Sequence, residues 1–300
     1  MELKLGGRLG ENPPLLIGSI FYRGDRRVID HERGLFDEEN ERALIEGDLE
    51  KAREFWLPYA LDVIIQSKDA AKPFLKFASQ FDVPILVDGI DSEVRAHAYR
   101  VAGELGISEM VIANAIYPDS TDKELKEIRN AGIDKAVLVA FDPRDALESM
   151  KPEVKLALLE EKLLPKAERA GVSTMLVDVV VLDPASLRSV AESMSFLREK
   201  GYIVGCAPAN ALSILSKKRY GHEAYPMLVA ALSYLRMKGA DFLIFGPVGR
   251  LRGIAKGLAL LESFMGLEVG LPRSKLRKHP FVVLKEIQKV FLGASRRETG

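Results

Sequence analysis

The sequence has 300 residues, 47% of them hydrophobic, with 43 basic and 43 acidic side chains and a formal net charge of zero. That length suits one (β/α)₈ barrel of about 250 residues with extensions, and the balanced charge excludes the clustered basic footprint of a nucleic-acid-binding protein. A single cysteine, Cys206, excludes an internal disulfide framework and any multi-thiolate metal site.

The polar, Gly-rich start MELKLGGRLGENPP carries no secretory signal, and no apolar run reaches the length of a membrane span. The expectation is a soluble, cytoplasmic protein, reaching a membrane only peripherally through partner subunits. Residues before Leu15 read as a small plug or hairpin under the barrel. Residues 15–21 (LLIGSIF) form the first strand, and the YRGDRRVIDHERG that follows holds no GxGxxG phosphate loop. Residues 60–65 (ALDVII) and 83–87 (VPILV) are the second and third strands. A helix over 92–105 follows, with Val94, Ala98, Val101 and Leu105 on one face.

The fourth strand is 109–113 (EMVIA). Thr121 caps the next helix with Glu124 three residues on, and Gly132 ends it. After the fifth strand, 135–140 (KAVLVA), Pro165 kinks or splits a helical stretch over 153–170. The sixth strand is 174–181 (TMLVDVVV), and Asp183–Pro184 opens a helix that stops at Gly201. Residues 202–206 (YIVGC) and 241–245 (DFLIF) complete the set. These runs are rich in Val, Ile and Leu, as parallel strands buried on both faces should be. Eight strand-then-helix units predict an α/β fold, a single (β/α)₈ TIM barrel over residues 1–270. A basic and helical extension follows over 271–300.

In such a barrel, chemistry sits where the strands end. Strand two carries Asp62, strand three ends in Asp88 followed by Gly89 and Asp91, and strand four ends in Asn114. Strand five gives Asp142 and Asp145, strand six Asp178 and Asp183, strand seven Asn210, and strand eight Gly246–Pro247. A buried carboxylate is costly without donors, so a ring of them predicts partners or a ligand. Helix capping is the competing reading, preferred for Asp142 and Asp183, each followed by proline; for Asp88, Asn114 and Asp178 the pattern leaves both open. Gly246, Arg250 and Arg252, in FGPVGRLRG, stand where barrels hold phosphate, with the helix N-terminus adding N–H donors. The two arginines read equally well as solvated side chains or as residues facing a partner.

Other chemistries lack support. There is no HExxH, the four histidines are scattered, and His97 falls within a helix as a surface or packing residue. There is no GxSxG elbow. Cys206 reads as a small buried hydrophobe, not a ligand or nucleophile. No metal site is predicted.

The run GGRLGENPPLLIGSIFYRGDRRVIDHERGLFD resembles the H-subunit family of tetrahydromethanopterin S-methyltransferase. The resemblance continues through ILVDGID, VIANAIYPD, LVAFDP, VDVVVLDP and KGADFLIFGPVG. It implies a pterin-binding barrel related to the methyltetrahydrofolate:corrinoid methyltransferases. Such an enzyme moves the N5-methyl group of a reduced pterin to the Co(I) corrinoid (cobalamin) of a partner protein. Methyl-tetrahydromethanopterin is then the expected donor, with methyl-tetrahydrofolate as the alternative. The family pattern maps onto Asp88, Asn114, Asp178 and Asn210 as pterin contacts, with Asp88 and Asn210 serving proton supply and N5 activation. Serine commonly follows the strand-three Asp and the strand-four Asn in that pattern; Gly89 and Ala115 stand here. Implied partners are a corrinoid-binding protein or subunit, with Gly246, Arg250 and Arg252 as a corrinoid contact in place of a phosphate one, a membrane methyltransferase complex, and a second copy in a homodimer.

A stand-alone enzyme serving a soluble corrinoid protein is the alternative setting. A pterin synthase of the dihydropteroate type shares the barrel but expects a strand lysine and an Arg/His pyrophosphate set, which have no counterpart. A docking subunit without catalysis is a third reading.

Overall fold

The computed structural model describes residues 4–209, 211–214 and 217–295. In chain order the first half comprises β1 (Leu15–Ile20), β2 (Val28–Asp30), β3 (Leu35–Phe36), α1 (Glu38–Glu54), β4 (Tyr59–Ile65), α2 (Lys68–Ala78), β5 (Ile85–Gly89), α3 (Ser92–Glu104), β6 (Val111–Ile116) and α4 (Asp122–Asn130). The second half comprises β7 (Lys135–Val139), α5 (Pro152–Leu158), α6 (Leu164–Ala170), β8 (Thr174–Asp178), α7 (Leu187–Glu199), β9 (Val204–Cys206), α8 (Lys217–Tyr220), α9 (Ala224–Met237), β10 (Phe242–Pro247), α10 (Leu251–Glu268), α11 (Arg273–Leu276) and α12 (Val282–Ser295). Eight parallel strands close into a barrel in the order β1-β10-β9-β8-β7-β6-β5-β4, while β2 and β3 form a separate antiparallel pair. The eight predicted strand segments all supply barrel strands.

The strand sequences look uniformly apolar because both faces are buried, yet their inward positions follow a period of two. Leu15, Ile17, Ala60, Leu86, Ile112, Val137, Leu176 and Phe242 pack together inside the barrel. Alternate residues further along reach Ser19 on β1, Asp62 on β4, Asp88 on β5, Asn114 on β6 and Asp178 on β8. The interior is therefore apolar at the bottom and polar at the carboxyl ends. Outward strand residues such as Leu16, Leu61, Val87 and Val177 pack with helix residues such as Phe74, Tyr99, Leu163 and Leu258 in the second core layer.

Several caps follow the sequence. Asp183 forms a reciprocal cap with Ser186, and Asp142 accepts from the Arg144 N–H at 3.1 Å. Thr121 caps α4, but Glu124 is buried and turns to Arg95 in place of closing a capping box. The stretch around Pro165 runs as α5, one π-helical turn over Leu159–Leu163, and α6, consistent with proline's missing donor. The sixth barrel strand stops at Asp178, short of the predicted 181. Val180 takes a positive φ of 56°, a left-handed conformation that ends extended pairing.

Among the described residues no hairpin forms before β1. Instead Leu5 packs against the interior cluster from below, and Arg236 and Arg198 fasten the segment through the Asn12 and Gly7 carbonyls. Beyond β1, the β2–β3 pair is pinned by aromatics: Phe21 stacks on Phe74 with centroids 3.8 Å apart, and Phe36 meets Phe77 edge-on at 4.9 Å. After α10 the described chain packs back on that helix, with Ser263 donating to the Pro280 carbonyl at 2.8 Å and Val283 buried.

Candidate active site

Strand register brings the polar residues together. Ser19 lies opposite Asp62, and Asp88 lies opposite Asn114. The Ser19 hydroxyl donates to Asp62 Oδ2 at 2.8 Å, and Asn114 Nδ2 donates to Asp62 Oδ1 at 3.3 Å. An ionised carboxylate offers only lone pairs, so the Asn114 amide must turn its N–H toward Asp62 and keep its carbonyl for another partner. The Asn114–Ala115 peptide is cis, and pairing with β7 steps from Asn114 to Ile116.

Asp88 lies within reach of the Asp62 charge. Burial first, then the Asp62 carboxylate, raise the Asp88 carboxyl far above its ordinary range, to about 8, against a smaller opposing pull from Arg95. Burial also raises Asp62, opposed by its two hydrogen bonds from Ser19 and Asn114. Burial and the neighbouring negative charge favour a proton on the Asp88 side of the pair, because Ser19 and Asn114 already donate to Asp62.

Arg95, on α3, underlies this corner. It pairs with Glu124 at 2.5 Å, donates to the Gly89 carbonyl at 3.1 Å and lies 4.8 Å from the Tyr117 ring centroid. A Cβ at position 89 would come within 2.7 Å of Arg95 Cγ. The close approach of Arg95 therefore requires glycine at this position. A cavity of about 500 Å³ between the loops after β5 and β6 is lined in part by Gly89, Arg95 and Tyr117, and none of Asp62, Asp88, Asn114 and Asp178 lines it. Another of about 790 Å³ lies among Pro152, Arg188 and Tyr234 on the outer helices and touches none of the polar layer.

On the far side of the mouth, Asp178 accepts the Val180 N–H at 2.7 Å. Burial raises its carboxyl to about 6, opposed by that bond and by the charge of Lys155. Lys155 is wholly buried, donates to the Ala140 carbonyl at 3.1 Å, and is lowered by burial to about 8. Cys206 is buried, its thiol raised by burial and then by Asp178, as befits a packing residue. His97 is partly exposed beside Arg100, away from this layer. Among the described residues, no three of His, Cys, Asp and Glu are grouped as metal ligands would be.

Of the predicted site residues, Asp88, Asn114 and Asp178 share the polar layer, and Asn210 lies outside the described residues. Gly246 is the penultimate residue of β10, with Arg250 folded over it. Arg252 does not join them: it is exposed and donates to the Ala43 carbonyl of α1 at 2.8 Å. Nor is the α10 N-terminus open to an anion, because Asp48 of α1 accepts the Gly249 N–H at 2.7 Å. Ser19, Arg95 and Lys155 were not marked by the strand-end pattern. Asp62 was visible as an acid inside an apolar run, without an assigned role.

Comparison with known proteins places this geometry. The family described as "Tetrahydromethanopterin S-methyltransferase MtrH subunit" matches residues 1–267. The chain is 27% identical to the H subunit of tetrahydromethanopterin S-methyltransferase from Methanopyrus kandleri, covering 94% of this chain and 95% of that one. It is 28% identical to the H subunit of a putative mtx methyltransferase from Methanosarcina barkeri, covering 82% and 83% respectively. Among solved structures it is similar in fold to Yersinia pestis dihydropteroate synthase, with a TM-score of 0.59 at 13% identity over 85% of this chain and 95% of that chain.

Proposed function

The chain belongs to the tetrahydromethanopterin S-methyltransferase MtrH subunit family, and on that premise we propose that its polar layer binds an N5-methyl tetrahydropterin and protonates N5 as the methyl group leaves. The protein is a methyltransferase subunit, as the relatives it matches along its length are. The observation that carries the proposal is the place of Asp88 beside Asp62, whose carboxylate Ser19 and Asn114 clasp, so that burial and the neighbouring charge raise Asp88.

The residues present fit a pterin edge, which offers ring N–H groups, an exocyclic amine and an amide-like carbonyl. Asp178 has one oxygen on the Val180 N–H and a second for the ligand. Asn114 offers its carbonyl, and Asp88 in its protonated form offers an O–H. A tertiary amine leaves poorly, so N5 must gain a proton as its bond to the methyl carbon breaks. The bonding electron pair stays on N5, Asp88 supplies the proton and becomes a carboxylate, and solvent restores it after product leaves. Asn210, following the seventh barrel strand, is assigned the hydrogen bond to N5.

A partner's corrinoid, as Co(I), supplies the nucleophile once it docks over the mouth. Tetrahydromethanopterin is the favoured donor because the family, and relatives that match along nearly the whole chain, carry that name. Among the described residues no helix is long and apolar enough to cross a membrane, so attachment to a membrane assembly runs through partner subunits.

The test adds methyl-tetrahydromethanopterin, or methyl-tetrahydrofolate in parallel, to the purified chain with Co(I) cobalamin and follows the Co(I) absorbance. Donor-dependent loss of that absorbance is expected, faster with the first donor. Calorimetric donor binding without any loss of absorbance would instead favour a docking subunit.

A further inference from the structure

A cavity of about 330 Å³ opens between the loops after β1 and β10, lined by Tyr22, Arg27, Tyr225, Val248, Gly249 and Arg250 among others. It adjoins the polar layer: Val248 donates its N–H to the Ser19 carbonyl at 3.2 Å, and the Ser19 hydroxyl holds Asp62. Its two guanidiniums are placed differently. Arg27 is paired with Asp25 at 2.9 Å and with Glu41. Arg250 has no hydrogen bond or ion pair from its guanidinium among the described residues, and its electrostatic neighbours are the Tyr22 and Tyr225 hydroxyls.

The guanidinium is half-buried, and its Nη1 folds over the end of β10. A Cβ on Gly246 would stand 2.9 Å from it, and Gly246 has a φ of 102°, so this position suits glycine on both counts. A cation partly removed from water and left without a counter-charge is unfavourable unless an anion answers it. The usual alternative for a barrel, an anion on the helix N-terminus after the eighth strand, is closed here. Asp48 already takes the Gly249 N–H, and Arg252 faces α1. Only side-chain charge remains to receive an anion at this rim, and Arg250 supplies it.

We propose that Arg250, flanked by Tyr22 and Tyr225, forms an anion site for the phosphate or carboxylate on the side arm of the methyl donor. The assignment rests on the pterin reading above. Reduced pterin coenzymes carry their negative groups on the arm that leaves the ring, and this cavity borders the layer assigned to the ring. The phosphodiester of a partner's corrinoid shares that chemistry, so the test separates the two.

Inorganic phosphate is titrated into wild-type protein, Arg250→Met and Arg252→Met with neither donor nor acceptor present, and binding is read from the phosphorus-31 line width. Methyl transfer is then measured with methyl-tetrahydromethanopterin and with an N5-methyl tetrahydropterin lacking the anionic arm. Wild type and Arg252→Met should bind phosphate, Arg250→Met should not, and Arg250→Lys should bind with intermediate strength. Phosphate should compete with the armed donor. Selectivity for the armed over the arm-less donor should fall about tenfold in Arg250→Met, the value of one charge-assisted contact.

Equal phosphate binding by wild type and Arg250→Met overturns the site. Unchanged selectivity, or phosphate competing with the corrinoid protein and not with the donor, overturns the assignment to the donor's arm. Phosphate binding that depends on Arg250 in a protein that transfers no methyl group supports the anion site and counts against the pterin reading alone.

Discussion

Asn114 donates its side-chain amide to Asp62 at 3.3 Å although their strands, β6 and β4, are not neighbours. The bond reaches past β5 and so spans the strand that carries Asp88. Replacing Asn114 therefore disturbs two things, the ligand contact and the carboxylate that sets Asp88. Asn114→Ala should weaken calorimetric donor binding by about 10- to 100-fold, the range for losing a bond to a charged partner. Asn114→Asp should weaken it further, since a third acid would face Asp62. A dissociation constant within twofold of wild type would remove Asn114 from the pterin contacts.

Asp88→Asn keeps the shape but removes the proton. The methyl-transfer rate should fall by about 10²- to 10⁴-fold, the usual contribution of a positioned general acid, while donor affinity changes much less. The pH profile carries the sign. Asp88 is protonated below its raised value of about 8, so the wild-type rate should hold below that pH and be lost as pH rises through it. The same alkaline limb persisting in Asp88→Asn would place the proton source elsewhere.

Lys155 should act on donor binding through Asp178, whose ionised form its charge favours. In wild type, binding that needs the Asp178 carboxylate weakens as pH falls through about 6. Without the cation the Asp178 value rises, so in Lys155→Met the loss should begin at a pH higher by roughly one unit, the lower end for removing a nearby opposite charge. Donor titrations between pH 5 and pH 8 would show it. A parallel drop at every pH would mean that Lys155 serves packing alone.

Arg95→Met strands the buried Glu124 carboxylate. Breaking such a pair costs about 3–5 kcal/mol, whereas replacing both partners by apolar side chains is often close to neutral. Denaturant melts should show Arg95→Met strongly destabilised and Arg95→Met/Glu124→Met recovering most of the loss. In the double variant the Asp88 value should also rise, because Arg95 pulls it down.

The barrel was legible because burial on both faces writes eight apolar runs into the chain, and these align with the observed strands. Asp88 and Asn114 were visible as polar residues ending such runs, and Asp178 as an acid within one. Lys155 was not: a lysine in PEVKLAL reads as a solvated helix position, and only the docking of α5 against the strands buries it. Arg95 was hidden in the same way on α3. The short β2 and β3 carry too few residues for any periodicity, and their anchoring by Phe21, Phe36 and Phe74 depends on contacts far apart in sequence. Val180 escaped because a left-handed valine is the last thing VDVVV suggests.

The seam between the first and last units bears on how the chain is made. Asp48 must wait for Gly249, Ala43 for Arg252, and Ser19 for Val248, partners more than 200 residues later in each case. As the chain leaves the ribosome, β1 and β4 emerge early but have no closing strand until β10 follows. Contacts this distant must overcome loop-closure entropy before they contribute stability. A nascent chain stopped before β10 would thus hold an open, partly exposed sheet. The step that seals the barrel also builds the wall between Ser19 and the Arg250 cavity, so truncated products are barred from carrying a finished site.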